Sequence, residues 1–198
     1  MKRLSTGCLW AWLLTITPLL AEGFPNGDFE SGKFEGWTIG GRKDARAVVI
    51  PSGPVFEQLG QSRQFRSTGG WEGHPIAPLL KRPNNQYLMQ ISSDGYIKAT
   101  TESKVTIEAE KQYAVSLIAQ SRNGGEAIYY LDVYAIGKDR RLPLGTVQYT
   151  ARSDELFRQT LTFSLEKDHP HVGKRIGLTA RYRGRNVLDN ASIEILPI

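Results

Sequence analysis

The sequence predicts an all-β fold, a two-sheet antiparallel sandwich. Short runs rich in Val, Ile, Tyr and Thr recur between Gly-, Pro- and Asn-containing turns. Several of these runs alternate apolar and polar residues, the period of a strand with one face in a core. No 3.6-residue periodicity lasts long enough to mark a helix.

The strands expected from this pattern are Asp28–Glu30, Ala45–Ile50, Gln86–Ile91, Tyr96–Thr100, Lys104–Glu108, Gln112–Gln120, Ile128–Ile136, Gly145–Thr150, Phe157–Leu165, Arg175–Tyr182 and Leu188–Leu196. In Gln112–Gln120, Tyr113, Val115, Leu117 and Ala119 share a face, and in Ile128–Ile136, Tyr129, Leu131, Val133 and Ala135 share one. The connecting "SRNGGEA" has the Asn-Gly-Gly chemistry of a hairpin turn, so these two runs are expected to pair. Large residues also occupy the opposite face of the second run. Alternation is cleaner toward the C-terminus, where Leu161, Phe163 and Leu165, then Ile176, Leu178, Ala180 and Tyr182, are separated by polar or small residues. Pro51–Asn85 breaks the pattern, being rich in Pro, Gly and Arg. A segment of this length and composition is either a binding loop or poorly ordered.

The first 21 residues read as a secretory signal. Lys2 and Arg3 precede the apolar run "LWAWLLTITPLL" at 9–20, and Ala21 offers a cleavage site. The run is short of the roughly 20 apolar residues of a membrane span. Residues 22–198 then form a single domain large enough for a sizeable core. The protein is expected to be secreted or periplasmic. The single cysteine, Cys8, leaves with the leader, so the domain has no disulfide, which favours a bacterial source. Losing Lys2 and Arg3 lowers the net charge from +5 to +3, too mild an excess to argue for a nucleic-acid partner.

"NGDFESGKFEGW" at 26–37 and "VLDNASIEI" at 187–195 bracket the domain. An Asn-Gly-x-Phe-Glu start, an early Gly-Trp and a closing Leu-Asp-Asn-x-Ser-Ile strand resemble the galactose-binding-like jelly rolls, above all carbohydrate-binding modules of the CenC type. The resemblance spans nearly all of residues 22–198. It departs from the family pattern where Leu156-Phe157 stands in place of a tryptophan, and in the length of the 51–85 segment.

The resemblance implies a jelly-roll topology and a structural Ca²⁺ near the meeting of the first and last strands. Glu30 and Asp189 are its implied side-chain ligands, with Asp28 a further candidate and backbone carbonyls completing the shell. Calcium takes about six to eight oxygens, and an ion bridging the chain ends would stabilise a domain without disulfides.

Five residues are candidate carbohydrate contacts. Tyr130, Asp132 and Tyr134 share one strand face, pairing rings for stacking with a carboxylate for sugar hydroxyls. Arg181 can approach the same sheet and, with Arg183 and Arg185, makes an acidic or sulfated glycan conceivable. Trp71, in the polar "GGWEGH", is either a sugar platform or a plug folded back on the sandwich. Trp37 is expected in the core.

Catalytic motifs are missing: the sequence has neither Gly-x-Ser-x-Gly nor His-Glu-x-x-His. His169 and His171 form a His-x-His pair with no third ligand in the sequence nearby. The leading expectation is a secreted, non-catalytic carbohydrate-binding protein with a polysaccharide or glycoconjugate partner. The alternatives are an extracellular structural or interaction protein of the same fold without a sugar ligand, and a small polysaccharide-active enzyme.

Overall fold

A computed structural model describes residues 23–41, 46–51, 87–92, 96–121, 126–152, 155–184 and 186–197. Ten strands build it: β1 (Trp37–Gly41), β2 (Arg46–Pro51), β3 (Tyr87–Ser92), β4 (Tyr96–Thr106), β5 (Gln112–Ser121), β6 (Ala127–Ile136), β7 (Arg141–Ala151), β8 (Leu156–Ser164), β9 (Arg175–Arg183) and β10 (Asn186–Leu196). They form two five-stranded sheets, ordered β1-β4-β9-β6-β7 and β2-β3-β10-β5-β8. Every strand pairing is antiparallel. The residues described contain no helix.

The inward faces are those the alternation marks. Tyr113, Val115, Leu117 and Ala119 of β5 pack in one core cluster with Tyr129, Leu131, Val133 and Ala135 of β6 and Ile176, Leu178, Ala180 and Tyr182 of β9. Burying each large apolar side chain here contributes about 1.5–3 kcal/mol. Phe157 packs against both Tyr129 and Tyr149, with ring centroids 4.7 and 4.6 Å away, so it fills the place where the family pattern has a tryptophan.

Three strand expectations need correction. The first is the hairpin: β5 pairs with β8 and β10, whereas β6 pairs with β7 and β9, in the other sheet. Two apolar faces bury each other equally well side by side in one sheet or stacked across two. The alternation was therefore compatible with both arrangements. The tight hairpin among the described residues is β6–β7, closed by a hydrogen bond from Gly137 N to Arg140 O (3.0 Å).

The second concerns Tyr96–Thr100 and Lys104–Glu108, which are largely one strand, β4. The polar "TTES" suggested a break. Instead Thr101 and Ser103 point inward and are buried, and the register shifts between Glu102 and Thr106. Ser103 Oγ is satisfied within this irregularity: it donates to Ile176 O (2.9 Å) and accepts from Val105 N (3.2 Å).

The third is Asp28–Glu30, which is a turn. Asn26 and Phe29 have left-handed backbones, with φ of 49° and 58°. Backbone bonds run from Gly27 N to Phe24 O, Phe29 N to Asn26 O and Gly32 N to Phe29 O. The Asn26 side chain ties the loop together, accepting from Ser31 N and donating to Lys33 O. The Asn26 backbone carbonyl also accepts from Trp37 Nε1 (3.1 Å). Phe29 is fully buried and packs against Trp37, which is a core residue as expected.

This opening turn is fastened to the last strand. Ala191 N donates to Gly27 O (2.9 Å), at a point where β10 bulges between Asp189 and Ser192 and Asn190 has a φ of 50°. The two motifs that bracket the sequence thus meet in space.

Candidate functional site

The outer face of the β1-β4-β9-β6-β7 sheet presents exposed side chains around a buried centre at Thr100, Thr179 and Tyr134. Tyr96 is 56 % exposed, and Lys98, Glu102, Arg175 and Arg183 are exposed as well. Antiparallel register arranges this face in rows across the strands. Lys98, Arg181, Tyr130 and Gln148 form one row, and Thr100, Thr179, Asp132 and Thr146 the next. Glu102, Gly177, Tyr134 and Pro143 form a third. A depression of about 370 Å³ lies over the middle of the face, with Lys98, Asp132, Tyr134, Arg141, Thr179 and Arg181 among its lining residues.

Four of the five expected carbohydrate contacts come together here. Arg181 grips Asp132 in a bidentate pair: its Nε donates to Oδ2 and its Nη2 to Oδ1 (2.9 Å). The Arg181 guanidinium also lies over the Tyr130 ring, 4.5 Å from the centroid. Asp132 Oδ1 accepts a further bond from Thr146 Oγ1 (2.8 Å). Tyr134 is buried, its ring under the Arg141 guanidinium at 4.8 Å and close against Gly177. Trp71 lies outside the described residues, as do Arg185, most of the 51–85 segment and the leader at 1–21.

Burial alone would push the Asp132 carboxyl upward. The hydrogen bonds from Arg181 and Thr146, with the nearby charges of Arg181 and Lys98, outweigh it and hold the group below the usual carboxylate range. Arg181 is raised in turn, chiefly by its bond to Asp132. The sign for stability follows from linkage. A carboxyl depressed in the folded state contributes above its unfolded value, about 3.9, and that contribution disappears as pH falls through the folded value. Asp132→Asn is therefore expected to cost about 1–2 kcal/mol at pH 7, the low end for a paired charge because solvent screens the pair. The gap to the wild type should close as the pH is taken from 7 to well below the unfolded value of about 3.9. Urea unfolding at both pH values checks this; equal gaps would refute the assignment.

Three residues of this face were missed by sequence reasoning: Tyr96, Lys98 and Arg141. Tyr96 and Lys98 were legible as the outward partners of buried Ile97 and Ala99. Arg141 was hidden because β7 was expected to begin at Gly145, which left "KDRR" as turn.

At the chain-end clasp, Asp28 Oδ1 accepts from Glu30 N (3.3 Å), and Glu30 is half-buried. The Asp189 backbone pairs with Ile118 beside the bulge; its side chain lies outside the described residues. His169 and His171 pack edge to face at 4.6 Å on a separate turn. No group of three or more His, Cys, Asp or Glu able to hold a metal occurs among the described residues.

No protein-family model and no curated protein sequence matches this chain. Solved structures do. A CBM61 carbohydrate-binding module in complex with β-1,4-galactotriose superimposes with a TM-score of 0.51 at 15 % identity, over 88 % of this chain and 99 % of that one. A Stig cyclase from Fischerella sp. TAU gives 0.60 at 14 % identity, over 89 % and 98 %. The enzymatically active domain of tailspike protein 4 from bacteriophage CBA120 gives 0.59 at 9 % identity over 89 % of this chain, which spans 22 % of that chain's length. The fold is the two-sheet antiparallel sandwich that the sequence resemblance implied, and it is shared with the CBM61 carbohydrate-binding module. The same scaffold serves binding modules and enzymes alike, so function rests on the site.

Proposed function

We propose that this protein is a non-catalytic glycan-binding protein that holds a polysaccharide against the outer face of the β1-β4-β9-β6-β7 sheet. The observation that carries the reading is that face itself. An exposed Tyr96 stands two residues from a depression whose lining mixes guanidinium, ammonium, hydroxyl and carboxylate groups. Aromatic faces pack on pyranose rings, and a few convergent polar groups orient them. The fold likeness to a module in complex with a galactotriose supports the same reading. We read residues 1–21 as an export leader and the protein as secreted or periplasmic.

An enzymatic reading gains fold support from the cyclase and the tailspike domain. The carboxylates of this face argue against it. Acid catalysis needs a carboxyl that still carries its proton near neutral pH, and Asp132 is held the other way by Arg181. Glu102 faces Arg175 at 3.9 Å. Pull-down on insoluble polysaccharides together with a glycan array is the test. Retention of the calcium-loaded protein on at least one glycan is expected. Binding to none would favour the extracellular interaction protein without a sugar ligand.

Calcium at the chain-end clasp belongs to the same proposal. The fit rests on oxygen chemistry: the opening turn carries Asp28, Glu30 and several backbone carbonyls, and the Ala191–Gly27 bond brings it to the bulge beside Asp189. Asp28, Glu30 and Asp189 would hold the ion, which would cross-brace the chain ends. At a hundredfold excess over Kd such an ion adds about 2.7 kcal/mol, or roughly 5–10 °C for a domain of this size. EDTA is expected to lower Tm by that amount in the wild type and to leave Asp189→Ala unchanged. A wild-type Tm indifferent to EDTA would sink the calcium assignment.

A further inference from the structure

We propose that the polysaccharide taken by this face is anionic, its rings bearing carboxylate or sulfate groups held by Lys98 and Arg141; this rests on the glycan-binding reading above. The depression is lined by three cations, Lys98, Arg141 and Arg181, and by one carboxylate, Asp132. Asp132 and Arg181 are spent on each other through the bidentate pair. Glu102, outside the depression on the same face, faces Arg175. Lys98, whose charge is felt by Asp132, and Arg141 therefore form no ion pair with a carboxylate among the described residues, and both are exposed.

The hydrogen-bonding balance points the same way. A site for neutral sugars needs acceptors for their hydroxyl protons as well as donors. Here the lining carboxylate already accepts from Arg181 at both oxygens and from Thr146 at one. The groups that remain are ammonium and guanidinium donors beside threonine hydroxyls. A donor-rich, cationic depression is complementary to a ligand with surplus acceptors and negative charge.

The placement of the two cations selects a polymer over a small anion. Lys98 is on β4 and Arg141 on β7, with β9 and β6 between them. Arg141 is held in place over the Tyr134 ring. One small anion would have to choose between them, whereas a chain with repeated charges reaches both while its rings lie along the Tyr96–Tyr130 side of the face.

The test compares polygalacturonate with its carboxyl-reduced polymer, and a sulfated galactan with its desulfated form, by calorimetry on the full domain. One charged polymer is expected to bind at least about tenfold more tightly than its neutral counterpart, and raising NaCl from about 50 to 500 mM should erase most of the difference. Which pair shows the preference identifies carboxylate or sulfate as the recognised group. Lys98→Gln and Arg141→Gln should each cut binding to that polymer about fivefold, well beyond their effect on the neutral form, with Tm of the Lys98 variant unaltered. Equal affinity for charged and neutral forms would overturn the anionic assignment and leave glycan binding standing. Failure to bind any polymer, charged or neutral, would overturn both.

Discussion

Gly177→Ala is expected to destabilise the protein by about 3 kcal/mol, lowering Tm by roughly 10 °C. A Cβ at this position would lie 2.4 Å from Tyr134 Cε2 and 2.5 Å from Cζ. Neither partner can step aside easily. Gly177 is the third residue of β9, paired with Glu102 on one side and Tyr134 on the other, and the Arg141 guanidinium lies over the Tyr134 ring. The added methyl must therefore lift the ring or part the strands. Gly40→Ala is the control, because nothing lies within 4 Å of a Cβ there; a change within about 0.5 kcal/mol is expected. Combining Gly177→Ala with Tyr134→Ala should give a loss smaller than the sum by at least about 1 kcal/mol, since removing the ring makes room. Strict additivity would show that the clash is not with the ring. The same geometry explains why Tyr134 contributes to the site from below, as the support for Arg141.

Gly27→Ala is expected to cost as much or more, about 3–4 kcal/mol. Its Cβ would fall 2.3 Å from Ala191 O and 3.2 Å from Phe24 O. These are backbone atoms, so no rotamer change relieves the contact. The hydrogen bond from Ala191 N to Gly27 O would be strained together with the turn that buries Phe29 and Trp37. Amide exchange provides a local readout: Ala191 N–H should lose protection while amides in the β6–β7 hairpin keep theirs. Unchanged protection at Ala191 would refute the clasp.

Part of this was legible in the sequence for physical reasons. Wherever one face of a strand is buried and the other wet, the period of two declares itself, and β8 and β9 were found that way. The opening motif was legible because it carries residues with fixed structural duties: Asn26 to organise a turn, Phe29 and Trp37 to anchor it in the core. Strand partnership was not legible. The inward faces of β5 and β6 look like hairpin partners, yet they meet across the core, since alternation records which face is buried and not which strand lies alongside. The site was half legible for a related reason. Tyr130, Asp132 and Tyr134 fall on one strand and could be grouped by counting. Lys98 and Arg141 join them only through the order β4-β9-β6-β7, which no local pattern encodes.

The strand order also governs when the domain can form. The last two strands in the chain occupy the middle of the two sheets: β9 between β4 and β6, and β10 between β3 and β5. As the chain emerges from the ribosome, β3, β4, β5 and β6 must wait with bare hydrogen-bonding edges until residues 175–196 appear. Nearly all pairing is long-range, the condition under which folding is slow and edge-to-edge association competes with it. Loss of β10 would thus remove the centre of a sheet and the anchor of the opening turn together, turning the waiting edges into a permanent aggregation surface.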